Sequence, residues 1–207
     1  HGGEITPLAA EIAARREAFA EPVDDAWLWR ALGLPEGHDR AVLLGEVFTG
    51  GEPGLWQALL PAVEAGSTND MKAAHRLAEV DPARPDMAAL AVLENVFLYG
   101  ESAKAGPFAA KLGAFPTKKT RAGLSGWLDH LEALMARVEA ARPRRLALEL
   151  AERCLVLHRF AAPFLARYEA RKAALGALDF DDLILKVRDL LADEGRAAWV
   201  LYRLDGE

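Results

Sequence analysis

Three carboxylates fall within four positions near the end of the chain: Asp179, Asp181 and Asp182, in the segment Leu178-Asp179-Phe180-Asp181-Asp182-Leu183-Ile184. The segment lacks the glycine and the distal glutamate of a calcium loop. It suits a helix start instead. Asp179 can accept from orphan backbone N–H groups as an N-cap, and Asp181 and Asp182 then sit at the positive end of the helix dipole. A second group is basic. Lys118, Lys119 and Arg121 stand beside the hydroxyls of Thr117 and Thr120, residue types that suit phosphate oxygens, and Phe115 nearby could stack on a base. Farther along, Arg153, Arg167 and Arg171 fall within about 40° of one stripe of an ideal helix. Each basic group also has a plainer reading: a solvated loop around a core phenylalanine, and arginines whose stems pack along an apolar seam.

Other chemistries are missing from the sequence. There is no G-x-x-x-x-G-K-[ST] phosphate loop, no H-E-x-x-H, no cysteine pair for zinc and no G-x-S-x-G elbow. The five histidines are scattered and Cys154 is the single cysteine. No catalytic residue and no metal or cofactor ligand is assigned, and a self-contained enzyme is not expected.

The elements that must position these groups are helical. Ala and Leu dominate over β-branched residues, and the apolar positions recur at helical spacing, which predicts an all-α fold. A helix is expected from Ile5 to Phe19. The next is capped by Asp24 or Asp25 and ended by Gly33, and a short one runs from Arg40 to Phe48. Glu52 to Ala65 follows, with Pro53 in its first turn. Ser67-Thr68-Asn69-Asp70 caps a helix over Met71 to Val80, and Asp86 to Tyr99 is strongly apolar. Residues 101–123, rich in Gly, Lys, Thr and Pro, read as a loop holding at most a short helix. Two long helices are expected next, Leu124 to Ala141 and Pro143 to about Leu175, with Pro163 kinking or splitting the second. Along the second, Leu146, Leu150, Cys154, Leu157, Ala161, Phe164 and Tyr168 form a near-heptad apolar stripe. Gly176 is the expected stop.

Of 207 residues, 52% are hydrophobic and 27% charged, as in a chain that buries a core. No apolar run approaches the ~20 residues of a membrane span, and without a charged n-region and apolar h-region at its start no signal peptide is expected. A single cysteine suits a reducing cytoplasm. The chain opens on His1 rather than Met, which suggests either an excised segment or the remnant of a tag. The net charge of −6 hides an asymmetry. Residues 1–103 carry 7 basic and 17 acidic side chains, whereas residues 104–172 carry 14 basic and 6 acidic. The basic block either packs on the acidic part or faces a polyanion.

Leu178-Asp179-Phe180-Asp181-Asp182-Leu183-Ile184 resembles the L-D-F-D-D-L segment of superfamily 1 DNA helicases of the UvrD/RecB/AddA type. The tail from Ala198 to Glu207 looks like the approach to their Walker B strand. Phe115-Pro116-Thr117-Lys118-Lys119-Thr120-Arg121, Arg142-Pro143-Arg144-Arg145-Leu146 and Phe164 through Lys172 are similar to the AddA component of the ATP-dependent helicase/nuclease of double-strand break repair. The resemblance covers residues 104–207 well and residues 1–103 loosely. It implies a helical 1B-like insertion over 1–175, holding the basic block, and a return segment over 176–207 that heads into the 1A ATPase core and stops before Walker B.

Such a parent would be a bacterial, cytoplasmic ATP-dependent DNA helicase, with exonuclease activity in its complex. Its ATP and Mg2+ would be held by residues outside this chain. The partners implied are duplex or single-stranded DNA, a nuclease subunit of the AddAB type and the rest of the helicase core, with no membrane. The segment itself would engage DNA without ATPase activity, through Phe115, Lys118, Lys119, Arg121, Arg153, Arg167 and Arg171. Two alternatives stand beside this one: a module that docks a partner protein, and a helical scaffold without a ligand. The last requires the arginines to be ion-paired within the fold.

Overall fold

The computed structural model describes residues 2–192 and 202–203. Of the tail from Ala198 to Glu207, all but Tyr202 and Arg203 lies outside the described residues. Among the described residues the regular structure is all helix, apart from one antiparallel bridge between Leu98 and Ala110. The chain divides into two compact units, one of residues 24–153 and one combining 1–23 with 154–207.

The first unit holds most of the core. Its helices are α2 (Asp25–Ala31), α3 (Arg40–Val47), α4 (Glu52–Glu64), α5 (Thr68–Leu77), α6 (Met87–Phe97), α7 (Lys118–Ala122) and the first half of α8 (Leu128–Leu175). Side-chain caps set most of their starts. Asp24 accepts from Ala26 and Trp27, Asp39 from Val42, and Asp86 from Ala89. Ser67 and Asp70 form a reciprocal capping box. Helix α4 packs on α5, α5 on α6, and α3 on α6. Leu43, Val47, Leu59, Val63, Leu77, Leu90, Leu93 and Phe97 are fully enclosed, together with Leu131, Leu134, Met135 and Val138 of α8. Each such side chain contributes roughly 1.5–3 kcal/mol. The indole of Trp56 lies in this core, and its N–H donates to the Leu77 carbonyl at 3.2 Å.

The second unit contains α1 (Gly2–Ala14), a 3-10 turn at Arg16–Phe19, the second half of α8, and α9 (Phe180–Ala192). The helix expected from Ile5 to Phe19 is thus broken after Ala14. The buried apolar side chains of this unit are few among the described residues: Ile12, Ala13 and Ala161. Gly176, at φ +61°, turns the chain between α8 and α9, a conformation that L side chains rarely adopt.

Two expectations about the long helices are corrected. Instead of breaking at Arg142–Pro143, or splitting near Pro163 where a kink was the alternative, α8 runs unbroken for 48 residues. A mid-helix proline costs about 3 kcal/mol in lost hydrogen bonding and ring clash, but the flanking residues are anchored. Ala141, Arg145, Leu148 and Ala151 are buried, while the Pro143 ring faces solvent. The apolar stripe is also displaced at its first two positions, whereas its Ala161 is fully buried and Cys154, Leu157, Phe164 and Tyr168 are half-buried. Leu146 and Leu150 are about half exposed, and the buried face passes through Leu148 and Ala151 instead.

Candidate nucleic-acid interface

The Thr117–Arg121 segment is built around a carboxylate from outside the basic block. Asp70, 1% exposed, lies in the first turn of α5. One of its oxygens accepts from the Thr117 N–H at 3.0 Å. The other accepts from the Thr117 hydroxyl at 2.5 Å, the Thr120 hydroxyl at 2.9 Å, and the Ser67 N–H and hydroxyl at 3.1 Å each. Burial opposes its charge, but the hydrogen bonds led by Thr117 outweigh that and hold its carboxyl below the usual range. Gly66 permits this close approach. A Cβ there would lie 2.6 Å from an Asp70 oxygen and 2.7 Å from the Thr120 hydroxyl.

The Asp70 clasp commits the two threonine hydroxyls internally and turns Lys118 and Lys119 outward. Both lysines are exposed and have no ion-pair partner among the described residues. Arg121 points the other way. It donates to the Phe115 carbonyl at 2.8 Å and to Glu132 at 2.5 Å, and this pairing, together with the Gly113 N–H, holds the Glu132 carboxyl low. Phe115 is 7% exposed and packs against Phe97 with ring centroids 5.6 Å apart. Its ring is part of the core rather than a free stacking face. Arg153, Arg167 and Arg171 are exposed along α8, the first in one unit and the other two in the second.

The remaining arginines of the first half of α8 are ion-paired with the acidic N-terminal part of the chain. Arg137 donates to the Val47 carbonyl and to Glu52, each at 2.8 Å. Arg145 clamps Glu94 with two bonds of 2.6 and 2.9 Å and also reaches Glu149. Arg142 adds a third bond to Glu94 at 2.8 Å, and its guanidinium lies 3.7 Å over the Phe108 ring. Arg144 pairs with Glu46 and Arg40 with Glu152. Glu52 and Glu94 are both buried, so these pairs close off much of the positive charge of the basic block.

The Asp179–Asp182 cluster is a cap. The Asp179 carboxylate accepts from the Asp182 N–H at 2.8 Å and the Asp182 carboxylate from the Asp179 N–H at 2.9 Å, a reciprocal box that starts α9. Arg16, Tyr168 and Lys172 surround it. Burial works against charge at both Lys172 and Asp179. Their hydrogen bonds prevail, raising the Lys172 ammonium above its ordinary range and holding the Asp179 carboxyl well below its own. Past the cap, α9 leaves Phe180, Leu183, Ile184, Val187 and Leu191 exposed, Phe180 at 76%.

The sequence did not reveal the Asp70 clasp. The S-x-x-D spacing marks Asp70 as a capping residue, but nothing local records its reach to Thr117 and Thr120. Among the described residues no group of three His, Cys, Asp or Glu side chains is placed to hold a metal ion, and no helix is long and apolar enough to cross a membrane. No protein-family model, curated protein or solved structure matches the chain.

Proposed function

We infer that this chain is a helical accessory region of an ATP-dependent DNA helicase of the UvrD/RecB/AddA type acting in double-strand break repair, and that it contacts DNA without hydrolysing ATP. The observation that carries the reading is α9. The L-D-F-D-D-L segment forms a capped, amphipathic helix whose apolar face is uncovered, as suits a segment returning to dock on a motor core. Burying Phe180, Leu183, Ile184 and Val187 against such a core would contribute several kcal/mol. ATP and Mg2+ belong to that core, and no step of hydrolysis is assigned to residues of this chain.

The DNA contact falls to Lys118 and Lys119, held outward by the Asp70 clasp, with Arg153, Arg167 and Arg171 as further exposed cations. Binding through such residues is electrostatic and independent of sequence. The test is fluorescence anisotropy with a labelled duplex carrying a single-stranded tail, at low salt. The expected result is weak binding whose affinity falls with salt, and a shallower salt slope for the Lys118→Ala/Lys119→Ala variant, by roughly 2 contacts. Equal affinity of variant and wild type would overturn the assignment of these lysines.

A second reading, a helical scaffold with no ligand of its own, is favoured by the arginine–carboxylate pairs of α8. The same titration separates the two, because a scaffold gives no binding at low salt. A protein-docking module, for instance for a nuclease subunit, would instead use the face of α9.

A further inference from the structure

Helix α5 carries Asn69, Lys72 and Arg76 at spacings of three and four residues, so one face of the helix presents an amide and two cations. That face lines a cleft of about 350 Å³, whose opposite wall comes from Asn95 at the end of α6 and from Lys111 in the following loop. The cleft lies wholly within the first unit. Lys72 and Arg76 are exposed and have no ion-pair partner among the described residues. Lys111 is partly buried, and its ammonium donates to the Val96 carbonyl at 2.6 Å.

The one carboxylate in the cleft wall is Asp70, whose oxygens are already occupied by Ser67, Thr117 and Thr120. The three cations therefore face one concavity without a carboxylate free to pair with them. Burial, and secondarily the nearby Arg76, push the Lys111 ammonium below its ordinary range. The contrast lies within the same unit: the α8 arginines Arg137, Arg142, Arg144 and Arg145 each reach a carboxylate.

We propose that this cleft seats a phosphate group, held by Lys72, Arg76 and Lys111 with the amides of Asn69 and Asn95 beside it. A phosphate has the charge and the multiple acceptor oxygens that a guanidinium and two ammonium groups can satisfy together. Thr117 lines the same cleft and directly precedes Lys118 and Lys119 in the chain. A strand phosphate in the cleft would thus lie next to the lysine pair, while a free polyphosphate would need the cleft alone. The inference rests on side chains other than those assigned to DNA above, and it stands apart from the helicase reading.

Isothermal titration calorimetry at low salt, with pyrophosphate and with an eight-nucleotide oligothymidylate as probes, tests it. The variants are Lys72→Ala/Arg76→Ala and Lys118→Ala/Lys119→Ala. All four side chains are exposed, and circular dichroism checks that the fold is kept. Pyrophosphate is expected to bind the wild type and the Lys118→Ala/Lys119→Ala variant alike, and the Lys72→Ala/Arg76→Ala variant about tenfold more weakly or worse. If the oligonucleotide loses affinity in the Lys72→Ala/Arg76→Ala variant as well, the phosphate is that of a strand; if only pyrophosphate does, it is a free polyphosphate. Failure of both probes to bind the wild type, or pyrophosphate binding that the Lys72→Ala/Arg76→Ala variant retains, would overturn the proposal. Loss of oligonucleotide binding in the Lys118→Ala/Lys119→Ala variant alone bears on the helicase reading and leaves the pyrophosphate arm intact.

Discussion

Asp70 joins more separate parts of the first unit than a helix cap alone would. It caps its own helix, receives both threonine hydroxyls of the Thr117–Thr120 turn, and is almost wholly buried. Replacing it with alanine leaves several buried donors without an acceptor, and stability should fall by on the order of 3 kcal/mol. Its pH dependence has a definite sign. A carboxyl held below its unfolded pKa stabilises the fold fully above that unfolded value and loses the contribution as pH falls through the folded one. Urea denaturation of wild type and Asp70→Asn between pH 7 and pH 3 should show the wild type losing more stability on acidification; parallel curves would contradict the clasp. Arg145 is the matching case in α8. Removing it strips the buried Glu94 of a bidentate partner, although Arg142 remains, so Arg145→Ala should cost about 3 kcal/mol in the same assay.

At the scale of elements, local signals in the sequence carried the boundaries and failed where tertiary contacts took over. A cap at Asp24 or Asp25, one within Ser67-Thr68-Asn69-Asp70, one at Asp179 and the turn at Gly176 were legible because each is a local match of residue type to backbone need. The unbroken course of α8 was not. Proline spacing forecasts a break at Pro143, but arginines 142, 144 and 145 and the buried Leu148 fix the helix on both sides of it. Among the candidate contacts, Lys118 and Lys119 are exposed, whereas Phe115 and Arg121 have internal partners, Phe97 and Glu132, that no short spacing records. The exposed face of α9 makes an element-level prediction. If the fold itself does not use that face, Leu183→Asp and Ile184→Asp should each change the denaturation midpoint by no more than the equivalent of ~0.5 kcal/mol. A loss of several kcal/mol from either would show that the face is covered within the chain and would remove the argument for docking.

For the molecule as a whole, the asymmetry of charge is largely an internal matter. Acidic side chains at 46, 52 and 94 meet basic ones at 137, 142, 144 and 145, so part of the basic block is neutralised within the fold. Among the described residues, the exposed cations that remain include Lys72, Arg76, Lys118, Lys119 and Arg153 in the first unit, and Arg167 and Arg171 in the second. Sequence counts could show the imbalance but not how much of it the fold would neutralise. Within the first unit, polyanion contact is therefore expected at α5, α7 and the loop between α6 and α7, with Arg153 near the end of the unit, and not at the arginines of α8 that are already paired. Hydrogen–deuterium exchange, with and without a tailed DNA duplex at low salt, tests this most directly. Protection is expected over residues 68–77 and 111–122 and not over 137–145. Protection confined to 137–145, or none anywhere at saturating DNA, would contradict it.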